Sequence, residues 1–278
     1  MSRRVFLVAN VGLILLAAAG SLLAQPQQGS RYSVPFSDPS RPGTVRINLM
    51  HSSITVKGAN GREVVVVSRA HDAPRRPAPA DSSGLRRLTP PTGLNIQEES
   101  NVLTIHGTWP SVPADIEVEV PVRTNLMLRA MTGDVMVEGV DGEIEATTMT
   151  GSIALTNVSG SVVAHANNGR IAATVVRVTP DRPMAFTALN GNVDVTLPPA
   201  VKAELKLRSN LGDVFSDFDV QLKPGVPPPS NARAPNRGGY RFVADRSIYG
   251  SVNGGGPLFE LRTINGNVYL RKAKGATP

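Results

Sequence analysis

Five acidic residues crowd between positions 134 and 145: Asp134, Glu138, Asp141, Glu143 and Glu145. Carboxylates carried on neighbouring strands, about 4.8 Å apart, could share a proton for acid/base work or hold a cation. Against that chemistry, the corresponding positions of later repeats carry Ser, Thr and Ala, and Trp109 is the sole tryptophan, which leaves little for stacking against a sugar ring. The acids therefore read as the polar outer face of strands. The four histidines, His51, His71, His106 and His165, have no metal-ligand spacing along the chain, and His165 occupies an outward slot shared with Glu138, Thr147, Thr156 and Thr174. Two arginine pairs, Arg75-Arg76 and Arg86-Arg87, form candidate binding loops, because guanidinium forks match phosphate and carboxylate; ordinary solubilising charge is the competing reading.

Other chemistries lack their parts. The chain has no cysteine, which removes disulfides, thiolate metal sites and a cysteine nucleophile. There is no Gly-x-Ser-x-Gly elbow, no His-Glu-x-x-His and no phosphate loop ending Gly-Lys-Ser/Thr. A calcium-binding nonapeptide roll needs a recurrent aspartate that the repeats here do not supply. No cofactor is expected, and the chain is expected not to be an enzyme.

The elements that carry these residues announce themselves through glycine. Gly133, Gly142, Gly151, Gly160 and Gly169 recur every nine residues. Two positions after each stands a β-branched residue: Val135, Ile144, Ile153, Val162, Ile171. Four after come Val137, Ala146, Leu155, Ala164 and Ala173, and seven after come Val140, Met149, Val158 and Asn167. Apolar residues at alternate positions mark strands with one buried face, and a unit this short must stack on copies of itself. The expected fold is all-β: a β-solenoid, parallel β-helix-like, of nine-residue glycine-anchored strand-and-turn repeats with longer inserted loops. Its five β-branched residues should share one dry column. Asn167 and Asn168 fit a tight turn or an asparagine ladder, with the turn favoured.

The same phrase returns around Gly191 and Gly266, in Ile248-Tyr249-Gly250-Ser251-Val252, more loosely around Gly212, and in Met50-His51-Ser52-Ser53-Ile54-Thr55-Val56 with serine in the glycine place. Leu94 to Ile105 and Ile116 to Val122 read as further strands, and the part before residue 125 is either more rungs or a small sandwich. Stretches 74–91 and 224–239, rich in Pro and Arg, read as flexible inserted loops. No helix is expected in the mature chain.

Arg3 and Arg4, the apolar run Val5 to Ala19 and the small residue Ala24 before Gln25 predict a signal peptide over 1–24, an N-terminal extension over 25–44, the repeat domain over 45–272 and a tail over 273–278. A retained membrane anchor is the competing reading of residues 1–24. Removing Arg3 and Arg4 takes the formal charge from +7 to +5. Export favours anionic envelope polysaccharide, lipid head groups or an envelope protein as partner and argues against nucleic acid. The compartment expected is periplasmic or cell-surface.

The block from Met131 to Ala173, with Leu189-Asn190-Gly191-Asn192-Val193 and Leu261-Arg262-Thr263-Ile264-Asn265-Gly266-Asn267-Val268-Tyr269-Leu270, resembles the "putative adhesin" family of bacterial domains of unknown function with β-strand repeats. The resemblance covers roughly residues 45 to 272. It implies an exported, adhesin-like β-solenoid without shared catalytic residues, hence a non-enzymatic scaffold for binding or adhesion at the cell envelope. The alternatives are an envelope carbohydrate-active enzyme centred on the acids, and a structural protein that self-associates through its ends.

Overall fold

The computed structural model describes residues 30–70, 94–107, 114–223 and 247–274; residues 1–24, where a signal peptide is expected, both Pro/Arg-rich stretches and Trp109 lie outside them. Among the described residues every regular element is a strand, and all the strands join one continuous sheet folded into two faces.

Each circuit of the chain lays one strand on each face. The rungs, in order through the stack, begin with β6 (Val102–Gly107) and β7 (Ala114–Pro121). Then come β2 (Gly43–His51) with β3 (Ile54–Ala59), and β8 (Thr124–Thr132) with β9 (Val135–Glu138). Next, β10 (Asp141–Thr150) on the first face is followed by β11 (Ile153–Asn168). The long β11 starts on the second face, bends at Asn157 and Gly160, where φ is +53° and +113°, and crosses to the first; β12 (Ile171–Val178), back on the second face, completes its circuit. The stack ends with β13 (Met184–Asn190) and β14 (Val193–Leu197), β19 (Leu258–Asn265) and β20 (Val268–Lys272), and finally β15 (Ala203–Ser209) and β16 (Val214–Ser216). All these neighbours pair in parallel.

Stack order therefore departs from chain order at both ends. The rung β2/β3 comes first in sequence but lies between β6/β7 and β8/β9, and β19/β20 comes last but lies between β13/β14 and β15/β16. Antiparallel strands close the ends: β5 (Leu94–Glu99) on β6, β4 (Glu63–Ala70) on β7 with β1 (Ser30–Pro35) outside it, and β18 (Ile248–Val252) on β15 with β17 (Gln221–Lys223) beyond. Where the outermost strand reverses direction it interrupts the parallel template that another stack could extend; β16, on the second face at the C-terminal end, is parallel to β20 and is paired with no other described strand.

The register corrects the nine-residue stacking unit. Ile153 pairs with Val135 on one side and Ile171 on the other, whereas Ile144 pairs with Leu126 and Val162. The five aliphatics, all at most 2% exposed, therefore form two columns facing each other across the interior. Nine residues build one side of a flattened coil, and the chain must cross and return before it lies on itself, so the stacking repeat is two units long. Successive corners then differ. Val140 and Val158 turn inward at one corner, while Met149, at the other, is half exposed and Thr148 takes the interior place, donating to the Gly133 carbonyl at 3.1 Å. That hydrogen bond satisfies a buried hydroxyl.

One further expectation changes, and a second, that Leu94–Ile105 is strand, holds with its pairing added. The Ile248–Val252 phrase is β18, an antiparallel end strand and not a rung. The Leu94–Ile105 stretch is a hairpin, turned at Ser100 and Asn101 with φ of +53° and +69°, as a two-residue hairpin turn requires. Before residue 125 the chain adds rungs to the same stack, and the 25–44 segment supplies β1 and the start of β2.

The inserted rung β2/β3 is also tied by charge. Lys57 donates to Glu117 on β7 at 2.6 Å, and Arg69 on β4 reaches the other oxygen at 3.0 Å. The Lys57 contact holds the Glu117 carboxyl below its usual range, and the same contact, reinforced by Glu138 and Glu119, raises Lys57. A lowered carboxyl contributes stability above its unfolded pKa and loses it on acidification; a raised ammonium loses its share at strongly alkaline pH. Urea midpoints of the wild type should accordingly fall more steeply than those of Glu117→Gln as pH drops from 5.5 to 3.5. Parallel acid limbs would refute this linkage.

Candidate functional site

The structure disperses the acids. Glu138 points out from the second face beside Lys57; Glu143 and Glu145 lie on β10 of the first face, bound to Arg182 at 2.9 Å and Arg129 at 3.1 Å. Asp141, at the corner, is held by Arg177, and Asp134 accepts from the Ser152 amide at 2.7 Å. Carboxylates on opposite faces, four of the five engaged with partners of their own, do not converge on one reacting bond. His165 is exposed between Thr147 and Thr187, and His51 is exposed at the end of β2; His71 lies outside the described residues. Arg75, Arg76, Arg86 and Arg87 also lie outside them. Among the described residues no three His, Asp or Glu side chains group to hold a metal ion.

The glycines stand at two corners. Gly133, Gly151, Gly169, Gly191 and Gly266 form one ladder, extended by Ser52 at one end and Gly212 at the other. A Cβ on Gly169 would lie 1.9 Å from the carbonyl oxygen of Gly151, so backbone touches backbone where a side chain would stand. Gly142 and Gly160 lie at the opposite corner, within β10 and β11, also one above the other. Beside the first ladder runs the asparagine ladder: Asn190 donates to Asn168 at 2.7 Å and Asn265 to Asn190 at 2.6 Å. Asn168 thus joins a ladder, where the sequence favoured a turn, because Asn190 and Asn265 reach the same corner from distant parts of the chain.

Three connections meet at the C-terminal part of the stack to form a groove of about 490 Å³. Val176, Val178, Pro180, Pro198, Val201 and Pro257 wall it, and Asp181, Lys202 and the backbone of Gly255 and Gly256 rim it. Apolar walls with a few polar groups at the rim, at this volume, suit a small ligand or a single extended side chain. No short-range pattern in the sequence marks it, since its walls come from residues 176–181, 198–202 and 255–257.

A second outward feature lies on the second face near its C-terminal edge. Phe215 stacks on Tyr269 with ring centroids 5.3 Å apart, and Arg271, held by Asp194 at 2.8 Å, lies over the Tyr269 ring. Toward the middle of that face the outward columns are small: Ala154 beside Ala172, and Thr174 beside Thr196.

Two solved structures are similar. One is described as a "putative cell adhesion protein" from Clostridium sporogenes ATCC 15579, 9% identical, with a TM-score of 0.44, covering 88% of this chain and 100% of its own. The other is a "putative adhesin" from Bacteroides fragilis NCTC 9343, 7% identical, with a TM-score of 0.34, covering 89% of this chain and 98% of its own. No curated protein matches the sequence. Residues 94–225, just under half of the chain, match the family model Toastrack DUF4097, a segment running from β5 to β17; the two inserted rungs β2/β3 and β19/β20 lie outside it. Over that segment the chain is thus similar to the Toastrack DUF4097 family, in keeping with the resemblance to β-strand-repeat domains of unknown function carried by its glycine repeats.

Proposed function

We propose that the protein is a non-enzymatic, exported β-solenoid scaffold that binds a component of the cell envelope, with the groove at residues 176–181, 198–202 and 255–257 as its recognition site. The observation that carries this reading is the contrast between that groove and the acids. The acids are divided between two faces and four of the five are engaged with partners, whereas the groove offers unfilled apolar wall beside Lys202. A stack held by backbone ladders also costs little conformational entropy when it binds, because its outward columns are already ordered.

The test is retention of the purified protein on isolated envelope fractions, wild type against Val176→Asp/Lys202→Glu. Val176 is 57% exposed, so the double change should leave folding intact while lowering retention at least tenfold. Equal retention of both proteins removes the groove from the reading, and absence of wild-type retention removes binding to the envelope.

A further inference from the structure

Three methionines occupy one outward column. Leu49 pairs with Ala130 and His51 with Thr132, which sets Met50 beside Met131; Thr148 pairs with Ala130 and Thr150 with Thr132, which sets Met149 on the other side of Met131. The residues before them, Leu49, Ala130 and Thr148, point inward and are buried, while Met50, Met131 and Met149 are 46%, 45% and 50% exposed. The column continues with Asn167, so the thioether run is limited to these rungs. Isolated exposed apolar side chains need no explanation. Three of one rare type, with seven methionines in the whole chain, stacked in register on adjacent rungs do.

Packing does not account for the column, because no described residue covers it. Its chemistry does suggest a use. Neighbouring strands are about 4.8 Å apart, and methionine has three rotatable side-chain bonds, so three sulfurs in one column can converge on a single point above Met131. A thioether is a neutral, soft donor that needs no deprotonation. It discriminates against Ca(II) and Mg(II), and among biological metals it favours Cu(I) and its analogue Ag(I). The cysteine-free chain offers no thiolate to compete. Arg129, two residues before Met131 on the same strand, is engaged by Glu145 at 3.1 Å.

We infer that Met50, Met131 and Met149 form a surface site for a soft monovalent cation, Cu(I) or Ag(I), held by three thioethers on adjacent rungs. The site lies apart from the proposed recognition groove, and neither depends on the other.

The experiment titrates purified protein, labelled with ¹³C in its methionine methyl groups, with Ag(I), and with Cu(I) under reducing conditions against a chromophoric Cu(I) chelator. One equivalent is expected to bind and to shift the methyl resonances of Met50, Met131 and Met149 together, leaving buried Met184 in place. Met131→Leu keeps the volume and the fold and should weaken binding at least tenfold. Met136→Leu removes an equally exposed methionine on the opposite face and should leave binding unchanged. The assignment is overturned if the wild type takes up neither ion, if the triple leucine variant binds as the wild type does, or if Met136→Leu weakens binding as much as Met131→Leu.

Discussion

A chain ending after Pro257 is expected to lose its whole C-terminal third, far more than the two strands deleted. In a stack wound in chain order, removing the last rung leaves a shorter stack. Here the last rung in sequence, β19/β20, is what joins β13/β14 to β15/β16 among the described strands, and β18 and β17 hang in turn on β15. Its inward residues Phe259, Leu261, Val268 and Leu270 are each at most 1% exposed. At about 1.5–3 kcal/mol for each buried side chain, their loss is on the order of 6–12 kcal/mol, comparable with the total stability of a typical domain. Ladder hydrogen bonds on both sides go with them. Limited proteolysis read by mass spectrometry should therefore find new cleavage within 198–223 and 247–257 in the shortened protein, with loss of the cooperative thermal transition. A truncated protein that melts within a few degrees of the wild type would show that β15 can dock directly on β13, and the inserted-rung account would be wrong.

Gly151→Val should be severely damaging, as should a side chain at any glycine of the first ladder where backbone meets backbone. The added Cβ would stand 2.1 Å from the Gly133 carbonyl oxygen, at a φ of +142° that side-chain-bearing residues rarely adopt. Rotating the side chain cannot relieve a clash between Cβ and backbone, and the rungs cannot part freely. The Gly133 amide is bonded to the Thr150 carbonyl and the Gly151 amide to that of Asn168, both at 2.9 Å. Backbone strain alone costs about 1–3 kcal/mol, and displaced ladder bonds add to it. A total of about 3 kcal/mol lowers the melting temperature by roughly 6–12 °C in a domain of this size. Gly61→Ala is the matched control, because the nearest atom to its Cβ would be 3.8 Å away; it should stay within about 0.5 kcal/mol of the wild type. Equal melting of Gly151→Val and wild type would mean that the corner adapts, and the glycine ladder would then be incidental to the fold.

Both predictions rest on features of different legibility. The alternation of apolar and polar residues is a property of one strand, so Val135, Ile144, Ile153, Val162 and Ile171 could be placed in the interior from the sequence, and each is buried. Their division into two columns was also written there, though only in the seventh position of each unit. Val140 and Val158 alternate with Met149 and Asn167, because alternate corners face different surroundings. Reading all four as one class hid the true repeat, and with it the exposure of Met149.

The residues of this chain by themselves determined its strands, its inward columns and the tight glycine corners, since each depends on side-chain period and backbone freedom within a few positions. Tertiary structure alone decided the order of the rungs, the meeting of Asn168, Asn190 and Asn265, the groove, and the methionine column. An aliphatic rung fits above any other aliphatic rung of similar width. Which one it meets is chosen by closure of long connections and by the match of whole faces, and neither leaves a mark at short range in the sequence.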